Sequence, residues 1–270
     1  MRFIIRQLLS VLSIPALSRA YGWLTRRKSP KFLIRRIIVF FAKHYKINMD
    51  DYSGDMSDYD SLSDFFIRTL NQETRPLIKS EKYMLSPADG FLTNVETVYE
   101  DKTTQVKGID YKISEFIQDE IDYQQGWHIA TIYLSPHDYH RFHHTITAEI
   151  DGYLHKKGRL FPVNSFGTSL VKGLFNSNER LITRYKLNNQ TFYIVAVGAT
   201  FVGSIKMKFI ESIKRDNKWK SISVNINQLD EMGRFEMGST IIMIIPKYLA
   251  TPIDNIIGKI KVSDKIFSLN

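Results

Sequence analysis

Residues 7–17 are largely apolar, but that run is too short to cross a bilayer, which takes about 20 residues. A second apolar segment, residues 32–45, is interrupted by Arg35, Arg36 and Lys43. At about 100° per residue, Lys31, Arg35, Arg36, Lys43 and Lys46 fall within roughly 140° of a helical wheel. Leu33, Ile34, Ile37, Ile38, Phe40, Phe41 and Tyr45 fill the opposite side, with Phe32, Val39 and Ala42 at the boundary. The pattern predicts a basic amphipathic helix lying in a membrane interface, the favoured reading, against a surface helix packing its apolar side on the core. A cleaved leader is the third reading of the N-terminus, but Pro15 and Arg19 make a poor cleavage region.

After an acidic stretch holding Asp50, Asp51, Asp55, Asp58, Asp60 and Asp64, which reads as a linker, the pattern changes. Residues 63–68 read as a short helix capped by Ser61 or Ser63. Thereafter the period is mainly that of strands. Residues 91–99, 131–134, 192–197, 200–205 and 241–245 are apolar and β-rich, with Gly198 and Gly203 as bends. Ile222, Val224 and Ile226 alternate with polar neighbours, as a half-buried strand does. Residues 158–164, 178–180 and 230–234 read as loops or turns. There is no repeat, Gly-rich phosphate loop or dinucleotide fingerprint. The expected fold class is α+β: N-terminal amphipathic helices over residues 1–55, then a strand-rich, mainly antiparallel domain over 56–270.

Charge sharpens the division. Residues 1–49 hold eleven of the 37 basic side chains and no acid, so the excess of +9 is wholly N-terminal and the remainder is slightly acidic. That placement favours a local anionic partner such as a membrane surface over a body that binds nucleic acid. The absence of cysteine excludes disulfides, thiolate zinc sites and cysteine nucleophiles.

Three places could carry chemistry. Asp89 sits in the turn Ser86-Pro87-Ala88-Asp89-Gly90, from which a carboxylate can project. Four of the seven histidines cluster in Ser135-Pro136-His137-Asp138-Tyr139-His140-Arg141-Phe142-His143-His144, where Ser135-Pro136 signals a helix start. On such a helix His140 shares a face with His143 and with His144. A metal site is disfavoured, since His-Glu-x-x-His is missing. A buried hydrogen-bond network and a general base with a proton donor both remain open. Finally, in Met237-Gly238-Ser239-Thr240 the Gly238 carbonyl is open to attack, and Ser239 could be a nucleophile against its own backbone.

Taken together with Asn178-Glu179-Arg180, Val197-Gly198-Ala199-Thr200 and Gly233-Arg234-Phe235, these motifs resemble phosphatidylserine decarboxylases of the membrane-associated bacterial and mitochondrial type. The likeness runs from about residue 20 to the C-terminus in the family's motif order; Met237 departs from the family's usual leucine, a volume-conserving swap. The resemblance implies an inactive precursor. Asp89, His143 and Ser239 match its self-processing triad, and His140 matches a histidine of the decarboxylation step. The cut would fall between Gly238 and Ser239, giving a β chain of residues 1–238 and an α chain of residues 239–270 that begins with a pyruvoyl group made from Ser239. By the same resemblance, that covalent cofactor would form a Schiff base with phosphatidylserine, release CO2 and leave phosphatidylethanolamine, with His140 protonating the product. No metal is implied, and Thr240 is a candidate oxyanion donor.

The basic N-terminal region, with an anionic substrate that keeps its acyl chains in the bilayer, predicts a peripheral protein on the cytoplasmic face of the cell membrane; a homo-oligomer is compatible with it. Two rivals are weighed against it. A lipid-binding module that had lost the chemistry would not need all of Asp89, His140, His143, Gly238 and Ser239. A serine hydrolase using Asp89, His143 and Ser239 lacks Gly-x-Ser-x-Gly and the helix expected after the nucleophile.

Overall fold

The computed structural model describes residue 13 and residues 15–106, 109–163, 171, 173–200, 205–236 and 239–270. Its helices are α1 (Pro15–Thr25), α2 (Lys31–His44), α3 (Leu62–Phe66), α4 (Ile113–Ile117) and α5 (Leu174–Ser177). The first strands are β1 (Tyr83–Leu85), β2 (Gly90–Val98), β3 (Thr103–Val106), β4 (Ile109–Tyr111), β5 (Trp127–Leu134), β6 (Arg141–His143) and β7 (Ala148–Lys156). There follow β8 (Arg180–Leu187), β9 (Gln190–Val197), β10 (Ile205–Met207), β11 (Lys220–Ile226) and β12 (Glu231–Phe235). The C-terminal segment supplies β13 (Ser239–Pro246), β14 (Ala250–Pro252), β15 (Gly258–Ile260) and β16 (Lys265–Leu269).

An eight-stranded antiparallel sheet in the order β11-β7-β8-β9-β13-β5-β2-β15 forms the body. Inside it, every residue of β13 is buried, and the strand is paired with β5 from Ser239↔Leu134 to Pro246↔Trp127 and with β9 from Thr240↔Val197 to Ile244↔Tyr193. Its continuous apolar run follows from that position, because a strand covered on both faces has no solvent side for polar residues. On the edge strand β11, Ser221, Ser223 and Asn225 face water while Ile222 and Val224 are half-buried. Strands β8 and β9 form a hairpin through Asn188 and Asn189, whose φ values of 48° and 63° are those that a two-residue primed turn requires. Two three-stranded sheets, β10-β12-β6 and β1-β16-β14, are separate from the large one.

Helix α2 is used on two sides. Ile34, Ile38 and Ala42 are buried with Phe65 of α3, and the Phe41 ring lies 6.2 Å from Phe65 and 6.3 Å from Phe66. Phe32, Leu33, Ile37 and Phe40 are exposed, the first and last at 66% and 70%. Ser61 caps α3, its hydroxyl accepting from the Asp64 amide at 3.1 Å. No helix among the described residues is long and apolar enough to cross a membrane.

The structure corrects several local expectations. Residues 137–144 are not helical: the Asp138 carboxylate accepts from the Ser135 amide at 2.7 Å, closing a turn, and Arg141–His143 then join a ladder with β12. Residues 231–234, expected as part of a turn, belong to β12, because β6 and β10 flank them. Asn178 and Arg180, expected in a polar loop, are buried. Asn178 bonds Phe161 and the Gly198 carbonyl, while the Arg180 guanidinium donates to carbonyls of Glu115, Phe116, Phe175, Asn176 and Asn178. The acidic stretch is partly folded, with a 3-10 turn at Met49–Asp51 and a bridge between Tyr52 and Leu70. Helices α4 and α5 also lie beyond the N-terminal region. Residues 7–12, Gly203, Met237 and Gly238 lie outside the described residues.

Where β2 enters the sheet, a Cβ on Gly90 would stand 2.4 Å from the Tyr133 carbonyl oxygen. Gly90→Ala must therefore push β2 from β5, and a loss of about 1–3 kcal/mol is expected in urea unfolding of the full-length chain.

Candidate active site

Antiparallel pairing brings the head of β13 beside the tail of β5, and the head of β2 beside that same tail, with Ser239 opposite Leu134 and Phe91 opposite Tyr133. The chain leaving β5 makes the Ser135–Asp138 turn and enters β6. The His143 amide donates to the Pro87 carbonyl at 2.8 Å, which ties the turn carrying Asp89 to the histidine strand. Strand β12 pairs with β6 and ends three residues before Gly238.

Ser239 is fully buried, and its hydroxyl finds no hydrogen-bond partner among the described residues. The Thr240 hydroxyl and His140 Nε2 share that condition. Buried polar atoms are nearly always paired, so these three stand out, as do others among the described residues, including His128 Nε2, His155 Nδ1 and Thr183 Oγ1.

His140 Nδ1 lies 2.8 Å from the Asp138 carbonyl, which can only accept, so the proton is on Nδ1 and Nε2 carries the lone pair. The ring packs on Phe66 with centroids 4.0 Å apart. Burial, and after it the nearby Arg68 cation, push its pKa down to about 3. His143 has the same tautomer, Nδ1 donating to the Leu229 carbonyl at 2.7 Å, and its Nε2 is 3.0 Å from the Tyr139 hydroxyl. Burial lowers its pKa as well. His144 belongs to a packing network: Nδ1 donates to the Tyr185 hydroxyl at 2.9 Å, and that hydroxyl donates to Met232 Sδ at 3.2 Å. Burial brings its pKa down to about 4.

Asp89 and His143 are neighbours without a shared hydrogen bond. Arg75 grips both carboxylate oxygens of Asp89, Nη1 to Oδ2 at 2.7 Å and Nη2 to Oδ1, and the Val262 amide donates to Oδ1 at 2.9 Å. The Leu229 carbonyl, and not Asp89, therefore bonds the His143 ring at Nδ1, and Asp89 acts on it through its charge. Sequence reading missed Arg75, Tyr139, Leu229 and Phe66. Only Tyr139 had a signal, its place between two motif residues. Arg68 was missed too; it is buried against the Tyr52 ring at 4.1 Å and donates to the His137 carbonyl at 2.7 Å and the Asp138 carbonyl at 3.3 Å.

The sequence profile of the family described as Phosphatidylserine decarboxylase matches residues 62–268. Curated relatives named phosphatidylserine decarboxylase proenzyme include one from Brevibacillus brevis, 34% identical over 240 residues, covering 85% of this chain and 84% of the relative. One from Anaeromyxobacter sp. is 35% identical over 248 residues, 87% of each chain. A Helicobacter pylori relative is 32% identical over 238 residues, 85% of this chain and 88% of its own. This chain belongs to the phosphatidylserine decarboxylase family.

The buried histidines set a pH dependence. Their folded pKa values lie below the ordinary 6.5, so the unfolded chain takes up protons first as pH falls. Their contribution is fully present above about pH 6.5 and is lost progressively toward the folded values, at about 1.4 kcal/mol per pH unit for each ring. The urea midpoint should fall between pH 7.5 and 5, and His144→Gln should flatten that slope by one ring's share.

Proposed function

We propose that this chain carries out the reaction named by its family, converting phosphatidylserine to phosphatidylethanolamine and CO2, with Ser239 as the source of a covalent pyruvoyl cofactor. The observation that carries this reading is the buried Ser239 hydroxyl at the head of β13, which has no partner among the described residues. A serine held there for packing alone would leave its hydrogen-bonding capacity unused, whereas a serine awaiting conversion to a ketone loses nothing.

Maturation uses the chain's own groups. His143, buried and neutral with its lone pair on Nε2, takes the Ser239 proton, and Asp89 favours the imidazolium that forms. The Ser239 oxygen attacks the Gly238 carbonyl carbon, the C–N bond breaks, and the proton passes to the nitrogen, so an ester replaces the amide. Thr240, next in sequence, is a candidate donor to the transient oxyanion. Removal of the Ser239 α-proton then expels the Gly238 carboxylate, ending the β chain at 238. One water converts the resulting dehydroalanine to a ketone with release of ammonia, leaving the α chain, 239–270. Once formed, that group would supply a ketone for the substrate amine and an electron sink for the decarboxylation. His140, its Nδ1 held by the Asp138 carbonyl, handles the proton that replaces the carboxylate.

The N-terminal region, residues 1–55, is proposed as the membrane-association part and residues 56–270 as the catalytic domain. Support comes from the exposed Trp23, Leu24, Phe32, Leu33, Ile37 and Phe40 beside Arg27, Lys28, Lys31, Arg35 and Arg36. Such a surface suits peripheral attachment to an anionic leaflet on the cytoplasmic face, where the substrate keeps its acyl chains.

Intact mass of the purified protein should show two fragments, the smaller blocked at its N-terminus and lighter by the mass of ammonia than residues 239–270. Ser239→Ala should give one full-length species and no CO2; cleavage in that variant would overturn the reading. At about 1 kcal/mol per basic residue near the leaflet, Arg35→Gln with Arg36→Gln should weaken sedimentation with phosphatidylserine vesicles roughly 30-fold.

A further inference from the structure

The Tyr139 hydroxyl lies 3.0 Å from His143 Nε2, and the Tyr139 and His143 rings are stacked at 5.7 Å with their planes 21° apart. Tyr139 is buried, and the Tyr52 ring lies 6.5 Å from its own. Direction of the hydrogen bond is settled at the far side of the imidazole. The Leu229 carbonyl, 2.7 Å from Nδ1, has no proton to give, so Nδ1 carries one and Nε2 is an acceptor. Tyr139 therefore donates. Leu229 is itself fixed, in a left-handed conformation with φ 66° and with its amide on the His144 carbonyl at 2.8 Å.

We infer that Tyr139 is a positioning residue for self-processing, its hydroxyl holding His143 as a neutral base with the reactive lone pair on Nε2 until Ser239 takes its place. The inference rests on the reading of His143 as the base for Ser239. A hydrogen bond donated to the lone pair stabilises the neutral ring and opposes its protonation. Other groups facing the ring are Glu231, directly across on β12, Asp89 on the turn before β2, Arg141 on the same strand and His144 next in sequence. Glu231 and Asp89 favour the imidazolium, and Arg141 opposes it along with burial. Those carboxylates would hold a proton on a ring whose task is to accept one, and the phenol counteracts them at the reacting nitrogen. A phenolic hydrogen turns about the C–O bond, so the lone pair is released without displacing a packed ring.

Tyr139→Phe removes the hydroxyl and keeps the ring, so it separates this role from packing. In a Ser239→Ala precursor labelled with 15N-histidine, the His143 titration should move up by about 0.5–1 pH unit in Tyr139→Phe, the size expected for one neutral hydrogen bond. In the cleavable chain, the acid limb of the self-cleavage rate should move up by the same amount, since His143 is then protonated at a pH where it was free. Site-specific 3-fluorotyrosine at position 139, a stronger donor, should move both downward. Unchanged titration and an unchanged acid limb in the phenylalanine and fluorotyrosine proteins would overturn the inference. Cleavage surviving in His143→Gln or Ser239→Ala would instead overturn the reading on which it rests, whatever Tyr139 does.

Discussion

A strand bonded along both edges and apolar on both faces has one register available to it, and the placement of β13 between β5 and β9 fixes the rest of the site. Ile241, Ile242, Met243, Ile244 and Ile245 are buried, each contributing roughly 1.5–3 kcal/mol by leaving water. A slip of one residue would turn every one of them to the opposite face. Ser239 is thus located by the residues that follow it and owes nothing to its own hydroxyl, which has no partner among the described residues.

The same economy governs the histidines. Both site imidazoles are set by backbone carbonyls, His140 by that of Asp138 and His143 by that of Leu229. A carbonyl that only accepts fixes the tautomer without bringing another titrating group against Nδ1. Asp89, which might otherwise have taken this part, is committed to Arg75 and to the Val262 amide. It supplies charge while the main chain supplies direction.

What the sequence disclosed follows from the range of the forces involved. Strand period is a local property, so the Ile222, Val224, Ile226 alternation and the apolar run of β13 were legible. The Ser61 cap was legible because its partner is three residues away. The histidine segment misled because Ser135-Pro136 is a genuine helix-start signal; the Asp138 carboxylate bonding back to Ser135, together with pairing to β12 some ninety residues on, overrides it. Residues 231–234 carry turn-like composition and are strand only because β6 and β10 flank them. Arg75, Leu229 and Phe66 have no local signature, and each matters through a single long-range or turn-generated contact.

Helix α2 packs one side on the body and leaves apolar residues exposed on the other. Its inner residues Ile34, Ile38 and Ala42 bury Phe65, while Phe32 and Phe40 remain exposed on the outside. Phe41 reaches Phe66, and Phe66 is the ring on which His140 lies. The apolar arc is wider than the part spent on the core. On the proposed maturation, the α chain would still contribute β13, β15 on β2, and β16 between β1 and β14. It would also keep the Ser86 amide on the Asp264 carbonyl at 2.7 Å, the Leu269 amide on the Lys82 carbonyl at 2.9 Å and the Val262 amide on Asp89. Those bonds cross between the two pieces, so severing the backbone ahead of Ser239 removes one covalent link from a segment already held in the sheet on both sides, and the site that made the cut survives it.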